Sequence, residues 1–354
     1  MPHLLVLSAV EQTVAYLRAE LLRGTWRGLM PGGDRLAAEL GIGRGTVEMA
    51  LQQLEMEGWL LNQGRRRGRL IVLPGGKTVR PMQVGILHFE RSDRFVSHMV
   101  DLQHALAAAG HTITFSSKSL IDLDMDLARI KRLVKQTEVD AWVVMAGSRE
   151  VLEWFSTLET PAFSLFGRRR GLPIAAAGPD KLPAMTAVAR ELLTLGHKRI
   201  VLLTRRIRRL PQPGAVEQVF LQELSASGLA VGDYNLPDWN ESIDGFYARL
   251  ETLFQVTPPT ALIVDEARFF VATQQFLTTK GLRAPQDISL VCTDADPVFE
   301  WCRPSVSHIR WDSRPVVQRI VRWADNVSRG KRDIRQTLTP AEFVHGGTIG
   351  PVPQ

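Results

Sequence analysis

The stretch from residue 31 to residue 72 limits this chain more than any other. It runs Pro31-Gly32-Gly33-Asp34-Arg35-Leu36-Ala37-Ala38-Glu39-Leu40-Gly41-Ile42-Gly43-Arg44-Gly45-Thr46-Val47, then through Leu51, Leu54 and Gly58 to a run of arginines. Asp34 can cap a short helix that ends near Leu40. Gly41 supplies a turn, and another helix begins near Arg44. Val47, Ala50, Leu51 and Leu54 have the i, i+3, i+4, i+7 spacing of a helix with one apolar face. Opposite that face lie Gly45, Met49 and Gln52, with Glu48 beside them. Gly58 ends the helix. Trp59-Leu60-Leu61 and Leu70-Ile71-Val72 then flank Gly64-Arg65-Arg66-Arg67-Gly68-Arg69, the pattern of a hairpin with a basic tip. Residues 10–23 form a preceding helix with Val14, Leu17, Leu21 and Leu22 on one side. This order suits a module that lays one helix in a DNA groove.

Charge distribution agrees. The chain has 354 residues and a net charge of +6. Residues 1–80 hold eleven Lys/Arg against seven Asp/Glu, an excess of four, which leaves two for the other 274 residues. Composition is otherwise that of a globular protein, with 45% hydrophobic and 23% charged residues. Cys292 and Cys302 are its only cysteines, too few for a disulfide scaffold or a zinc site. The apolar patch at residues 4–10 lacks a basic flank and a small-residue cleavage site, so it does not read as a signal peptide. No apolar run reaches the ~18 residues that span a bilayer. A cytoplasmic address follows by elimination.

Residues 74–81 read as a linker, because their prolines and glycines continue neither a helix nor a central strand. From Met82 onward the pattern becomes β-α alternation. Strands are expected at 84–89, 111–116, 141–145 and 162–166, with helices at 95–109, 123–135 and 149–158. A second series follows, with strands at 200–203, 261–264 and 288–292. Its helices are expected at 182–195, 216–225, 246–254, 269–279 and 315–327. Near-continuous apolar strands between helices indicate parallel sheets covered on both faces. Two such series suggest two lobes with a cleft between them.

The chemistry-bearing residues sort by place. Arg44 can meet a guanine edge in bidentate fashion, or a phosphate. Gly45 permits close backbone approach, and Thr46 with the first helical N–H groups suits phosphate. Four arginines at 65, 66, 67 and 69 can enter a minor groove or clamp phosphates. Taken alone such a run is a solvated loop; beside a recognition helix it reads as DNA contact. In open α/β lobes ligands lie beyond the carboxyl ends of the strands. That rule selects His88, Glu90, Ser148, Arg168, Arg205, Asp265 and Asp294. Each aspartate is equally a cap or turn residue. Arg205, Arg206, Arg208 and Arg209 read either as an anion site or as a solvated loop. Catalysis has little support: neither the Asp265/Glu266 nor the Asp294/Asp296 neighbours make a convincing acid-base pair. His98, His104 and Asp101 do not close a metal set. No cofactor motif is present.

Residues 8–72 resemble the winged helix-turn-helix domain of the GntR family of bacterial transcription regulators, through the match from Met30 to Gly58. By that resemblance Arg35, Arg44, Gly45 and Thr46 touch DNA, and residues 64–69 form the wing. Gly43 stands where Ser is usual and Glu48 where an Arg reads guanine. Glu48 can accept from a cytosine amino group or pair with Arg44. Residues 82–345 resemble the sensor domain of the LacI family, through Leu195-Gly196-His197-Lys198-Arg199-Ile200 and the match over 259–312. The resemblance implies effector contacts near Asp265, Asp294 and Asp296, with Trp239 or Trp311 stacking on an apolar ligand face. Val264 replaces the family's Asn, and residues 209–214 replace its usual helix start. The expected architecture is an N-terminal α+β winged helix-turn-helix (1–73), a linker (74–81) and a two-lobed α/β domain of type I periplasmic-binding-protein-like form with parallel sheets (82–345). The expected partners are double-stranded operator DNA, a sugar-like or anionic effector, and a second copy in a homodimer, with no membrane. The implied function is a ligand-responsive regulator, most simply a repressor. The rival is a solute-binding protein or sugar-processing enzyme with a basic head.

Overall fold

Eleven apolar side chains close the core of the N-terminal segment: Val14, Leu17, Leu21, Met30, Leu36, Val47, Ala50, Leu51, Leu54, Leu60 and Ile71. They come from three helices and three strands: α1 (Ala9–Arg23), β1 (Leu29–Met30), α2 (Gly33–Leu40), α3 (Arg44–Met56), β2 (Leu60–Asn62) and β3 (Arg69–Ile71). The structure is a computed structural model that describes residues 8–23, 25–26, 28–64, 68–72 and 81–353. Arg65, Arg66, Arg67 and all of the expected linker except Pro81 lie outside the described residues. Gly41 ends α2 at φ 66°, and its N–H donates to the Ala37 carbonyl. That left-handed conformation suits glycine. The strands form an antiparallel sheet in the order β1-β3-β2, with Met30 opposite Arg69 and Asn62 opposite Arg69. Gln63 N–H donates to the Gly68 carbonyl at 3.2 Å. The expected helix, turn and helix are present, and the two strands expected to flank the basic tip pair with each other.

The chain divides into two compact units, residues 1–177 with 317–336 and residues 178–316 with 337–354. Beyond the N-terminal segment, the first unit holds β4 (Gln83–Leu87), α4 (Ser97–Ala108), β5 (Thr112–Phe115), α5 (Leu127–Lys135), β6 (Ala141–Met145), α6 (Arg149–Ser156), β7 (Ala162–Leu165) and the start of β8 (Ala175–Asp180). Its strands are parallel in the order β5-β4-β6-β7-β8. Gly85 is needed in β4, since a Cβ there would lie 2.8 Å from the Trp142 ring.

The second unit holds α7 (Leu182–Thr194), β9 (Ile200–Leu203), α8 (Arg206–Arg209), α9 (Ala215–Ala226), α10 (Ile243–Val256), β10 (Ala261–Val264), α11 (Ala267–Thr279), β11 (Ser289–Cys292) and β12 (Ser307–Trp311). Strands β9 to β12 are parallel, and β13 (Gln336–Val344) pairs antiparallel with β12.

One expectation is corrected. The helix read at 315–327 follows the second β-α series in sequence, yet most of α12 (Arg314–Ser328) belongs to the first unit. Its Trp323 is 1% exposed and its ring lies 5.3 Å from that of Phe163. Arg319 sits over the same Phe163 ring at 5.5 Å and donates to Asp333. The chain therefore returns to the first unit to complete its core. Trp323→Ala is expected to cost about 3–5 kcal/mol of stability, as for other buried aromatics. Urea denaturation measures this; a loss below about 1 kcal/mol would detach α12 from that core.

Candidate functional site

Two regions concentrate functional side chains. In the N-terminal segment the α2–α3 turn leaves the start of α3 in solvent. Arg44 is 74% exposed and its Nε lies 3.0 Å from Asp34 Oδ1, itself 75% exposed. Gly45 is exposed and Thr46 half-buried. Arg35 pairs with Glu39 at 2.8 Å and also stays exposed. Gln52 is exposed on the same helix as Met49. Arg69 differs from the expected phosphate cation. Its guanidinium is 17% exposed and donates to both Glu48 and Glu55. Burial opposes its charge, but the two carboxylates outweigh burial and raise its pKa above the ordinary value. Glu48 is thus paired with Arg69 across the hairpin, while Arg44 pairs with Asp34.

At the carboxyl ends of the first unit's strands, the expected effector residues already have local work. Ser148 caps α6 by accepting from Val151 N–H at 3.3 Å. Glu90 accepts from Ser92 Oγ at 2.7 Å and its N–H donates to Asp93 Oδ2 at 2.9 Å. Arg168 is half-buried, and its N–H donates to the Gly147 carbonyl at 3.1 Å. His88 is fully buried with Nδ1 3.2 Å from Ser116 Oγ. Burial first, then the Arg94 charge, lower its pKa.

The second unit places its charges in one network. In the register of β9, β10 and β11, Leu203 and Cys292 both align with Val264. The next residue on each strand is therefore Thr204, Asp265 or Thr293, side by side. Thr204 Oγ1 donates to Asp265 Oδ2 at 2.9 Å and Thr293 Oγ1 to Oδ1 at 2.6 Å. Arg208 Nη1 lies 3.6 Å from Asp265, and its Nε lies 2.7 Å from Glu217. Lys181, 6% exposed, bonds Asp294. Arg205 lies 2.9 Å from Glu266 and over the Phe269 ring at 5.1 Å. Arg209 donates to Asp238 and, at 2.9 Å, to the Thr204 carbonyl.

Burial would raise the Asp265 carboxyl. Arg208 and Lys181, with the two threonine hydroxyls, outweigh it and hold the carboxyl at about 2. Burial likewise opposes the Arg208 charge, and Asp265 and Glu217 keep it protonated. Glu266 is raised by burial against the pull of Arg205.

Several expectations change here. Asp265 is 2% exposed, and both of its carboxylate oxygens accept from threonine hydroxyls. Asp296 caps the turn that follows it, accepting from Val298 N–H at 2.9 Å. Trp239 is 6% exposed, packed against Phe246 and Phe269, and is core. Arg205 and Arg209 are buried and paired, so the solvated-loop reading of residues 205–209 fails for them. Sequence reasoning missed Thr204, Thr293, Lys181 and Glu217 in this network, and Glu55 beside Arg69. The available signal was a hydroxyl or acid one residue beyond each aligned strand. Among the described residues there is no group of three or more candidate metal ligands, and no helix is long and apolar enough to cross a membrane.

Residues 189–349 match the family of periplasmic binding protein-like domains. The HTH-type transcriptional regulator DegA of Bacillus subtilis (strain 168) is 21% identical over 226 residues, 62% of this chain and 67% of that protein. The fold is also that of the lac repressor dimer bound to operator and the anti-inducer ONPF, with 17% identity, TM-score 0.60 and coverage of 77% of this chain and 95% of that one. The transcriptional regulator CelR in complex with cellobiose gives 16% identity and TM-score 0.62, over 90% of this chain and all of CelR. These relatives are transcriptional regulators, not enzymes.

The depressed Asp265 pKa has a definite sign. Its ionised form contributes stability that is complete above the unfolded value of ~3.9 and fades as pH falls towards the folded value. Asp265→Asn is expected to cost about 3–5 kcal/mol at neutral pH, because Arg208 and Lys181 lose a buried counter-charge. Thermal melts between about pH 5 and pH 2 should show the difference between the two proteins shrinking as the pH falls. A gap that stays constant with pH would remove Asp265 from the ionised network.

Proposed function

We propose that this chain is a ligand-responsive transcription regulator, a repressor, with a GntR-type winged helix-turn-helix over residues 1–73. A linker over 74–81 joins it to a LacI-like effector domain over 82–345. The observation that carries this reading is the start of α3, where Arg44 and Gly45 are exposed and Thr46 is half-buried, on the helix whose Glu48 and Glu55 meet Arg69 of the β2–β3 hairpin. On this reading α3 enters the major groove, and the hairpin meets the adjoining minor groove. The Arg44–Asp34 pair is exposed at both ends, and such pairs contribute only about 0–1 kcal/mol. A DNA phosphate or guanine edge can therefore take Arg44 from Asp34. Arg35, Glu48, Gln52 and the wing arginines 65, 66 and 67 complete the DNA set, and Arg69 serves as a strut.

The effector is a small sugar-like or anionic molecule bound at the carboxyl ends of the strands; the candidates for its contacts are Glu90, Ser148 and Arg168 in the first unit and Asp294 in the second, each taken within its own unit. The cellobiose complex of CelR and the operator-bound lac repressor dimer support a sugar effector, DNA binding and a homodimer. The protein works in the cytoplasm.

Gel shifts with the duplex upstream of its own gene test the reading. Affinity should fall with salt at a log-log slope of about −0.9 per neutralised phosphate. Arg44→Ala should weaken binding and make the slope shallower by about one if Arg44 takes a phosphate. Unchanged binding would remove Arg44 from the interface. A thermal-shift screen of sugars and small anions identifies the effector, since a ligand present at about 100 times its Kd adds roughly 2.7 kcal/mol.

A further inference from the structure

We propose that Glu48 reads a cytosine in the operator, and that Arg69 is the positioning residue that makes this possible. The inference rests on the DNA-binding reading above. Glu48 lies one turn beyond Arg44 on α3, so the two share a face. Its side chain is 40% exposed, whereas Arg69 and Glu55 are 17% and 21% exposed. The trio thus has a sheltered cation and an open carboxylate. A Cβ at residue 33 would lie 3.0 Å from Glu48 Oε2, so Gly33 leaves the space that this carboxylate occupies.

A lone carboxylate in a groove walled by phosphates is repelled. Arg69, whose one positive charge is shared with Glu55, reduces that repulsion by meeting both Glu48 oxygens, Oε1 through Nη2 and Oε2 at 3.5 Å through Nη1. Glu55 fixes the guanidinium from its Nε side. An ionised carboxylate only accepts hydrogen bonds and has about four lone-pair sites. Arg69 leaves some of them open on the exposed side. The major-groove edge of cytosine offers an N4 donor, while adenine sets its N6 donor beside the N7 acceptor. A fixed acceptor in that position selects cytosine, because at adenine it would face the N7 lone pair.

Selection from a randomised duplex pool tests the assignment with the full chain and its Glu48→Gln, Glu55→Gln and Arg69→Lys variants. The unaltered protein should require cytosine at one position of each half-site, with about a tenfold or greater loss when that base is changed. Glu48→Gln should move the preference at that position to adenine, whose N6 and N7 a carboxamide can meet together. Arg69→Lys should blunt the cytosine preference and leave every other position unchanged. Glu55→Gln should keep cytosine preferred. If Glu48 is a strut only, Glu48→Gln and Glu55→Gln will weaken all duplexes equally without changing any base preference, and the proposal falls. If the unaltered protein shows no salt-dependent duplex binding, the DNA-binding reading itself falls and takes this proposal with it.

Discussion

A carboxylate with 2% exposure stays ionised only if the protein replaces its water, and Asp265 is supplied with two hydroxyls and two cations. The second unit is organised around that demand. Thr204, Asp265 and Thr293 meet only in one register of β9, β10 and β11, because a slip of one residue would send each side chain to the opposite face. Arg208 is then held from the other side by Glu217, itself 2% exposed. Replacing such a network with apolar residues is often neutral or stabilising, whereas removing one member is costly. Its value therefore lies in fixing a single arrangement of strand ends more than in added stability.

The same rule shapes the N-terminal segment at smaller scale. Arg69 faces Asn62 and Met30 across the sheet and bonds two carboxylates of α3, so one side chain ties strand β3 to the helix. Two other arginines of the segment are kept differently. Arg35 and Arg44 are paired only at the surface, where partners exchange at little cost. A half-buried pair sets geometry and an exposed pair leaves a cation available, and the structure uses both within about thirty-five residues of each other.

The apolar stripes of α1 and α3, the Gly41 turn and the continuous strands 141–145, 200–203 and 261–264 could be read directly, because each is a local pattern of one face or one run. Other elements carried no such mark. Strand β8 reads Ala-Ala-Ala-Gly-Pro-Asp, a composition poor in strand formers. Strand β13 contains Pro340, which argues against a strand in isolation. The place of α12 depends on Trp323 finding Phe163, a contact 160 residues distant in sequence. At the sites, residue type was legible and partnership was not. Asp265 was visible as an acid after a strand, but its burial follows from two threonines on neighbouring strands. Glu48 was visible as an acid on the exposed side of α3, but its partner is Arg69 on the hairpin.

These partnerships bear on effector chemistry. An effector changes DNA affinity only through different affinities for the two DNA-binding states. At the strand ends of the second unit, an anion would have to draw Lys181 or Arg208 away from Asp294, Asp265 or Glu217. That would leave a carboxylate buried and uncompensated, a loss of several kcal/mol that the new contact must first overcome. A neutral hydroxyl faces no such cost. Asp294 is 31% exposed, and Lys181 takes its Oδ1, so the carboxylate can accept from a hydroxyl without surrendering the lysine. On the proposed reading, the charge balance of this network therefore fits the sugar-like alternative better than the anionic one, because Asp294 can accept from a hydroxyl while it keeps Lys181.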